Sequence, residues 1–255
     1  MSKHIIDLLI VGRRRFAGGM WQLVFKPADN QPLPAVGCGQ FAQLQIDGTL
    51  LRRPISISDV PSDGSNTIVM LVKPVGGATV NLTSMPVGSV VNVLLPLGNT
   101  FSQAAAGERV LLVGGGVGCA PLVMLSRTLA AQGAEVTVAI GGRTAADVDG
   151  IDTLYPDARV AVSTDDGSRG YHGLVTALHE VSERYDRIYC CGPTPMMKAV
   201  ARIARERNIP CEVSLENMMA CGLGACLCCV EKTVRGNVCV CTEGPVFNIN
   251  QLTWQ

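Results

Sequence analysis

Val110-Leu-Leu-Val113-Gly114-Gly115-Gly116-Val117-Gly118-Cys119-Ala120-Pro121 lies near the middle of the chain, and its reading decides the rest. Val110–Val113 is a short apolar run of strand type. Pro121 opens a helix-forming stretch that reaches Gln132, and proline is favoured in a helix's first turn. Between them stand Gly114, Gly115, Gly116 and Gly118. A strand, a glycine turn and a helix in that order let backbone approach a phosphate closely, and the helix N-terminus turns N–H groups toward the anion. The same string also reads as a tight turn with no ligand. It is not a strict G-x-G-x-x-G, since no glycine stands at 119 or 121.

Downstream the alternation continues. Val136–Ile140 reads as a strand, Ala145–Ile151 as a short helix and Arg159–Ser163 as a strand. Leu174–Arg184 reads as a helix, Ile188–Cys191 as a strand, Pro195–Arg207 as a helix and Cys211–Leu215 as a last strand. Such alternation predicts an open parallel α/β sheet. Ligands of these sheets bind beyond the carboxyl ends of the strands. Three loops fall there: Gly141-Gly142-Arg143, Thr164-Asp165-Asp166-Gly167-Ser168 and Cys190-Cys191-Gly192-Pro193. The acidic residue that usually binds a ribose after the second strand is missing. Arg143 stands there instead, suited to a 2′-phosphate, a diphosphate or plain solvent, so NAD and NADP both stay open. Cys191 is placed to contact a nicotinamide ring, although an isolated cysteine in such a strand also reads as a packed thiol.

Upstream the signals are shorter. His4–Ile10, Trp21–Lys26, Phe41–Ile46, Ile55–Ser58, Ile68–Lys73 and Val90–Leu95 are apolar or alternating runs separated by Gly, Pro and Asp clusters. They predict a small antiparallel barrel, interrupted by one helix at about Thr79–Met85. Ala104-Ala105-Ala106-Gly107 reads as the connection onward. Within the barrel, Arg52-Arg53-Pro54-Ile55-Ser56 offers a guanidinium for a pyrophosphate and a hydroxyl for a flavin, against the plainer reading of a solvated Arg pair. Gly76-Gly77-Ala78-Thr79 is a second candidate phosphate cradle.

At the far end stands Cys221-Gly-Leu-Gly-Ala-Cys226-Leu-Cys228-Cys229, followed by Cys239-Val-Cys241. Cys221, Cys226 and Cys229 form C-x4-C-x2-C, the plant-type spacing for a 2Fe–2S cluster whose fourth cysteine comes from further on. A zinc site would more usually pair two C-x2-C units. Cys239 and Cys241 are two apart, so on a strand they share a face and periodicity cannot choose between them. Cys228 reads as a packed thiol. With 11 cysteines, an odd number clustered toward one end, the chain reads as a reduced, cytoplasmic protein rather than a disulfide scaffold. The apolar run at the N-terminus is broken by Asp7 and carries no cleavage pattern, so it is not read as a signal peptide. No run is long enough for a membrane span. Lys+Arg and Asp+Glu both number 21, which argues against nucleic-acid binding, and 47% hydrophobic residues allow a sizeable core.

The order R-P-x-S, G-x-x-T, G-G-G-x-G-x-A-P and C-G-P resembles the ferredoxin–NADP reductase superfamily. Glu216-Asn-Met-Met-Ala-Cys221-Gly-Leu-Gly-Ala-Cys226 and Cys241-Thr-Glu-Gly-Pro-Val-Phe247 resemble the electron-transfer subunits of dihydroorotate dehydrogenase type B. The resemblance implies an FAD-binding β-barrel over 1–101, an NAD-binding α/β domain over 102–215 and a 2Fe–2S segment over 216–255. It implies FAD contacts at Arg53, Pro54, Ile55, Ser56, Leu71, Val72, Lys73, Ala78 and Thr79, and nucleotide contacts at Gly114, Gly115, Gly116 and Gly118. Cys191 would face the nicotinamide. The family context picks Cys241 as fourth ligand beside Cys221, Cys226 and Cys229. Two positions depart from the family: an aromatic residue is common near Val72, and glycine is usual at Ala78. The implied partner is an FMN-containing dihydroorotate dehydrogenase catalytic subunit, two of each chain forming a heterotetramer, with NAD+ as electron acceptor. The competing expectations are another flavin/iron–sulfur reductase, of the ferredoxin–NADP or sulfide/hydrogenase type, and a zinc-stabilised binding module without activity.

Overall fold

The computed structural model describes residues 2–254; Met1 and Gln255, the outermost residues of the first and last predicted segments, lie outside the described residues. Six strands close a barrel in the order β1-β2-β5-β4-β3-β6: β1 (His4–Arg15), β2 (Trp21–Pro27), β3 (Phe41–Leu44), β4 (Arg53–Asp59), β5 (Ile68–Val72) and β6 (Val90–Leu97). All neighbours run antiparallel. Alternation does the sorting. Leu23 and Phe25 of β2, Ala42 and Leu44 of β3, and Val93 and Leu95 of β6 point inward and are fully buried. Helix α1 (Gly77–Ser84) plugs one end with Ala78 and Leu82. Closure removes free edges, the usual hazard of an all-antiparallel sheet.

The second unit is a sheet in the order β10-β9-β8-β7-β11-β12-β15, where β15 is Val246–Asn248. Its parallel strands are β7 (Arg109–Gly115), β8 (Glu135–Gly142), β9 (Arg159–Thr164), β10 (Tyr171–His172), β11 (Arg187–Cys191) and β12 (Cys211–Ser214). Helices α2 (Ala120–Ala131) and α5 (Thr194–Glu206) cover opposite faces, with the single turns α3 (Ala145–Val148) and α4 (His179–Ser182) between them. Val110 and Leu112 pack on the α2 side, whereas Leu111 and Val113 pack with α5 and the cysteine-rich segment. A parallel strand buried on both faces reads as a continuous apolar run, which is what β7 shows.

One predicted element differs. Leu174–Arg184 is not one helix but two single turns, Val175–Ala177 and His179–Ser182, parted by Leu178 at φ −57°, ψ 141°. Val175, Leu178 and Val181 are all buried. A spacing of three also suits one face of a continuous helix, so the pattern itself does not reveal the break made by the extended Leu178.

The cysteine-rich segment carries the hairpin β13 (Val230–Thr233) and β14 (Gly236–Cys239), then the turn α6 (Val240–Glu243). Its last strand, β15 (Val246–Asn248), returns to pair antiparallel with β12. It is also tied to the barrel. Asn99 N–H donates to the Gly244 carbonyl (2.7 Å), and its side chain donates to Glu243 O and Val246 O while accepting from Val246 N–H. Barrel and sheet meet through Arg127, which donates to Asp59 (2.7 Å) and to the Val60 carbonyl (2.9 Å). All three segments are thereby interlocked.

Candidate functional site

Because β7, β8, β9 and β11 are parallel, the predicted loops share one edge of the sheet. Gly118 is the hinge of that edge. A Cβ there would fall within 2.6 Å of both the Cys191 carbonyl carbon and the Gly192 Cα. Gly114 abuts Cys119 and Gly115 abuts Met196 and Pro193 in the same manner. Of these four glycines only Gly116 faces open space, at φ +56°. Most of the glycine-rich string is therefore spent on seating α2 against β11, and Gly116 is left as the point where a ligand's backbone contact is sterically free.

Cys191 sits at the end of β11, 1% exposed. Its thiol donates to Glu216 Oε1 (3.7 Å), and burial holds it protonated by pushing its pKa well up. Glu216 keeps an exposed edge, but its carboxyl is sunk toward Cys191, and desolvation raises its pKa. Sequence reasoning missed this role for Glu216. The available signal was an acidic residue directly after a terminal strand whose carboxyl end shares the ligand edge.

The other edge loops are more self-contained. Ser168 accepts from the Ala145 N–H (2.7 Å) and bonds Asp166, so Thr164–Ser168 holds the start of α3. The Arg143 side chain is 81% exposed and reaches Asp147 at 3.5 Å.

In the barrel the predicted flavin residues separate into two groups. Arg53, Pro54, Ile55 and Ser56 are all half-buried, an open face on an otherwise closed wall. Among the described residues Arg53 donates only to the carbonyls of Leu51 and Arg52, beside it in the chain, whereas Arg52 is pinned across the barrel to Gln43 O and Asn92. The Arg pair is thus one brace and one guanidinium held only by local carbonyls. On β5 the side chains are consumed by packing: Leu71 (2% exposed) faces the α2 core and Val72 (1%) the barrel interior. Lys73 donates to Gly18 O (2.7 Å) and Asp147 (3.1 Å), tying the barrel to α3. Ala78 buries its methyl in the barrel core, which explains why a residue larger than glycine is tolerated there. Thr79 Oγ accepts from the N–H groups of Val75 and Gly76, capping α1.

The cysteine loop has a distinct chemistry. Leu223 N–H donates to Cys221 Sγ (3.3 Å), Gly224 N–H to Cys241 Sγ (3.2 Å) and Cys241 N–H to Cys229 Sγ (3.4 Å). Left-handed Gly222 (φ +69°) and Gly224 (φ +81°) turn the first two of these amides inward. The Leu223 amide, acting on Cys221, lowers its pKa to about 6, while burial pushes Cys241 up to about 12. The predicted ambiguity between Cys239 and Cys241 rested on both lying in one strand. The strand ends at Cys239, and Cys241 falls in α6. Cys241 Sγ accepts an amide, whereas Cys239 Sγ points at the Gly224 carbonyl (3.8 Å), the orientation of a thiol donor. Cys226 and Cys228 are both exposed. Among the described residues no trio of Cys, His, Asp or Glu closes around a single-ion position. The fit to a cluster rests instead on the donor set: thiolates ringed by backbone N–H groups, the second-layer contacts that iron–sulfur sites use.

Residues 216–253 match the family model described as the iron–sulfur cluster binding domain of dihydroorotate dehydrogenase B, and residues 112–202 match the oxidoreductase NAD-binding domain. The chain is 39% identical to the dihydroorotate dehydrogenase B (NAD(+)) electron transfer subunit of Desulforamulus reducens over 100% of both chains. It is 38% identical to that of Caldanaerobacter subterraneus subsp. tengcongensis over 93% of this chain and 94% of that one. Among solved structures, one described by flavin-based electron bifurcation in an NADH-dependent reduced ferredoxin-NADP oxidoreductase superposes with a TM-score of 0.86 at 30% identity, over 97% of this chain and 90% of that one. Phthalate dioxygenase reductase, at 22% identity and a TM-score of 0.62 over 79% of this chain and 64% of that one, shares the fold.

Proposed function

The chain belongs to the family of dihydroorotate dehydrogenase B (NAD(+)) electron transfer subunits, and from that premise we propose that it carries electrons from the FMN of a dihydroorotate-oxidising catalytic subunit to NAD+ in pyrimidine biosynthesis. The cofactors are FAD and a 2Fe–2S cluster, with NAD as co-substrate. When bound, FAD links the one-electron cluster to the two-electron nicotinamide, since a flavin exchanges electrons both ways.

Each residue group has a stated task. Cys221, Cys226, Cys229 and Cys241 hold the cluster, and the amides of Leu223, Gly224 and Cys241 stabilise its sulfur charge. This convergence of three amides on the sulfurs of Cys221, Cys241 and Cys229 is the observation that carries the reading. The half-buried wall Arg53–Ser56 supports the flavin, with the Arg53 guanidinium serving its pyrophosphate. Leu71, Val72 and Lys73 act from behind, by fixing β5, and Ala78 and Thr79 by fixing the first turn of α1. Gly114, Gly115 and Gly118 set the nucleotide edge, and Gly116 leaves the approach open. Cys191, held as a thiol by burial, and Glu216, whose carboxyl keeps its proton to higher pH than an ordinary carboxylate, close the nicotinamide side.

The three working units are 1–101, 102–215 and 216–255, the last lending β15 to the sheet of the second. Assembly is with the catalytic subunit, as two of each chain. No described helix is long and apolar enough to cross a membrane, and the reduced thiols favour the cytoplasm.

The test is co-purification with the catalytic partner and an assay of dihydroorotate-dependent NAD+ reduction. The complex should be active and contain two irons per copy of this chain. Cys221→Ser should remove the cluster absorption and the activity while leaving the FAD bound. A partner lacking FMN and inert to dihydroorotate would favour the ferredoxin-dependent reading suggested by the bifurcating neighbour. A colourless, zinc-containing preparation would overturn both.

A further inference from the structure

Gln43 is the least satisfied polar side chain between the barrel and the cysteine loop. It lies in β3, between Ala42 and Leu44, and is 0% exposed. Neither its Nε2 nor its Oε1 has a hydrogen-bond partner among the described residues. A buried primary amide with both ends unpaired costs on the order of a few kcal/mol. Such a group persists where something else satisfies it.

Its position says what that is. Ala42 and Leu44 face the barrel interior, so Gln43 faces outward. There it lies cross-strand from Pro54, on the wall read as the flavin's support. On its other side is the cysteine loop: a Cβ on Gly222 would lie 2.9 Å from Gln43 Cγ and 3.2 Å from Nε2. Gly222 directly follows Cys221. The amide is therefore wedged under the turn that carries the first cysteine, between the wall and the loop. A sulfur offers only acceptor character, and whichever way the amide is turned, its NH2 is the only group that serves such an acceptor.

We propose that Gln43 is a positioning residue for the cluster, its side-chain NH2 donating to a sulfur on the Cys221 side of the loaded site. This rests on the reading of Cys221, Cys226, Cys229 and Cys241 as ligands. The physical effect is specific. A hydrogen bond to sulfur withdraws charge and favours the reduced, more negative form, so it raises the reduction potential. It also orders the turn against the barrel, on the flavin-facing side.

The test uses the complex with its catalytic partner. In the unsubstituted protein, labelled with ¹⁵N at glutamine side-chain amides, pulsed paramagnetic resonance of the reduced cluster should show a ¹⁵N coupling. Gln43→Leu should abolish that coupling and retain the iron. At a fixed redox poise its reduced-to-oxidised ratio should fall about tenfold, equivalent to about 59 mV for one electron. With iron chelated away, Gln43→Leu should melt no lower than the unsubstituted chain, since replacing an unpaired amide by an apolar group of similar shape is neutral or stabilising. A reduced cluster with no ¹⁵N coupling overturns the proposal, and so does an unchanged potential in Gln43→Leu. The coupling is read in the unsubstituted protein, so it decides the matter even if the variant takes up no iron. Failure of the unsubstituted protein to show any iron or paramagnetic signal would instead overturn the ligand assignment beneath it.

Discussion

Two glycine-rich turns carry the chemistry of this molecule, and they use glycine for opposite reasons. In the turn after β7, Gly118 has no room for a side chain, because the backbone of Cys191 and Gly192 lies against it. In the cysteine loop, Gly222 and Gly224 are needed for their left-handed conformations, which swing N–H groups onto sulfur. One turn is set by how close two pieces of backbone must come. The other is set by where amides must point. The letters are alike, and only the surroundings separate a packing glycine from a directing one.

The sharpest way to break this contrast is Gly118→Ala. The added methyl meets main chain, which cannot rotate away, so overpacking should cost about 3 kcal/mol or more. For a protein of this size that lowers Tm by roughly 6–12 °C. Calorimetry should show the loss whether or not iron is present. A small change would mean that β11 and α2 can slide apart, and that the turn is not set by contact.

Gly222→Ala should behave differently. The left-handed residue costs about 1–2 kcal/mol locally, and its methyl meets the side chains of Gln43 and Leu97 rather than main chain. The barrel and sheet should fold and retain FAD, and Tm in the absence of iron should fall by only roughly 2–8 °C. Iron content and cluster absorption should fall by more than half, because the Leu223 amide no longer faces Cys221. An intact cluster in Gly222→Ala would remove the directing role.

How far these roles were legible follows from what each depends on. The barrel and the parallel sheet were readable because period-two runs and strand–helix alternation are local. The cysteine spacing was readable for the same reason. The strand β15 was not, since pairing with β12 is made from the far side of the cysteine loop. The split between Arg52 and Arg53 depends on Asn92, 40 residues away. Leu71 and Val72 were expected beside a ligand from a resemblance, yet β5 is buried on both faces, and no pattern within five residues reveals that. Leu174–Arg184 misled because apolar spacing of three suits one helix as well as two short turns parted by an extended residue.

Within the first turn, Gly116 sharpens the comparison further, as the one glycine of the four that opens onto free space. Gly116→Ala should cost about 1 kcal/mol through its positive φ, and Gly116→Asn less, since asparagine tolerates that conformation. Tm should fall by only about 2–4 °C for Ala. If nucleotide approaches here, steady-state kinetics should show a raised KM for NAD+ with kcat nearly kept. Unchanged KM in both variants would make Gly116 a conformational residue only.

The smallest expected effect concerns Glu216, which joins the two regions by touching Cys191 from the first residue of the cysteine-rich segment. Desolvation raises its pKa above the ordinary carboxylate value, so the folded chain holds the proton more tightly than the unfolded one. The sign follows by linkage: its contribution to stability is fully present below the unfolded pKa and is lost as pH rises through the folded value. Glu216→Gln keeps the neutral shape and cannot ionise. Melting both proteins from about pH 4 to about pH 8 spans the ordinary carboxylate pKa of about 4.3 and the region above it. The difference between them cancels every other titrating group. The unsubstituted protein should lose Tm relative to Glu216→Gln as pH climbs above the ordinary carboxylate range. The loss should be modest, since the residue keeps an exposed edge and water screens part of the charge. A flat difference would mean that the carboxyl is hydrated in solution and that its contact with Cys191 does not hold the proton. The edge set by Gly118 and the loop set by Gly222 would then meet through packing alone.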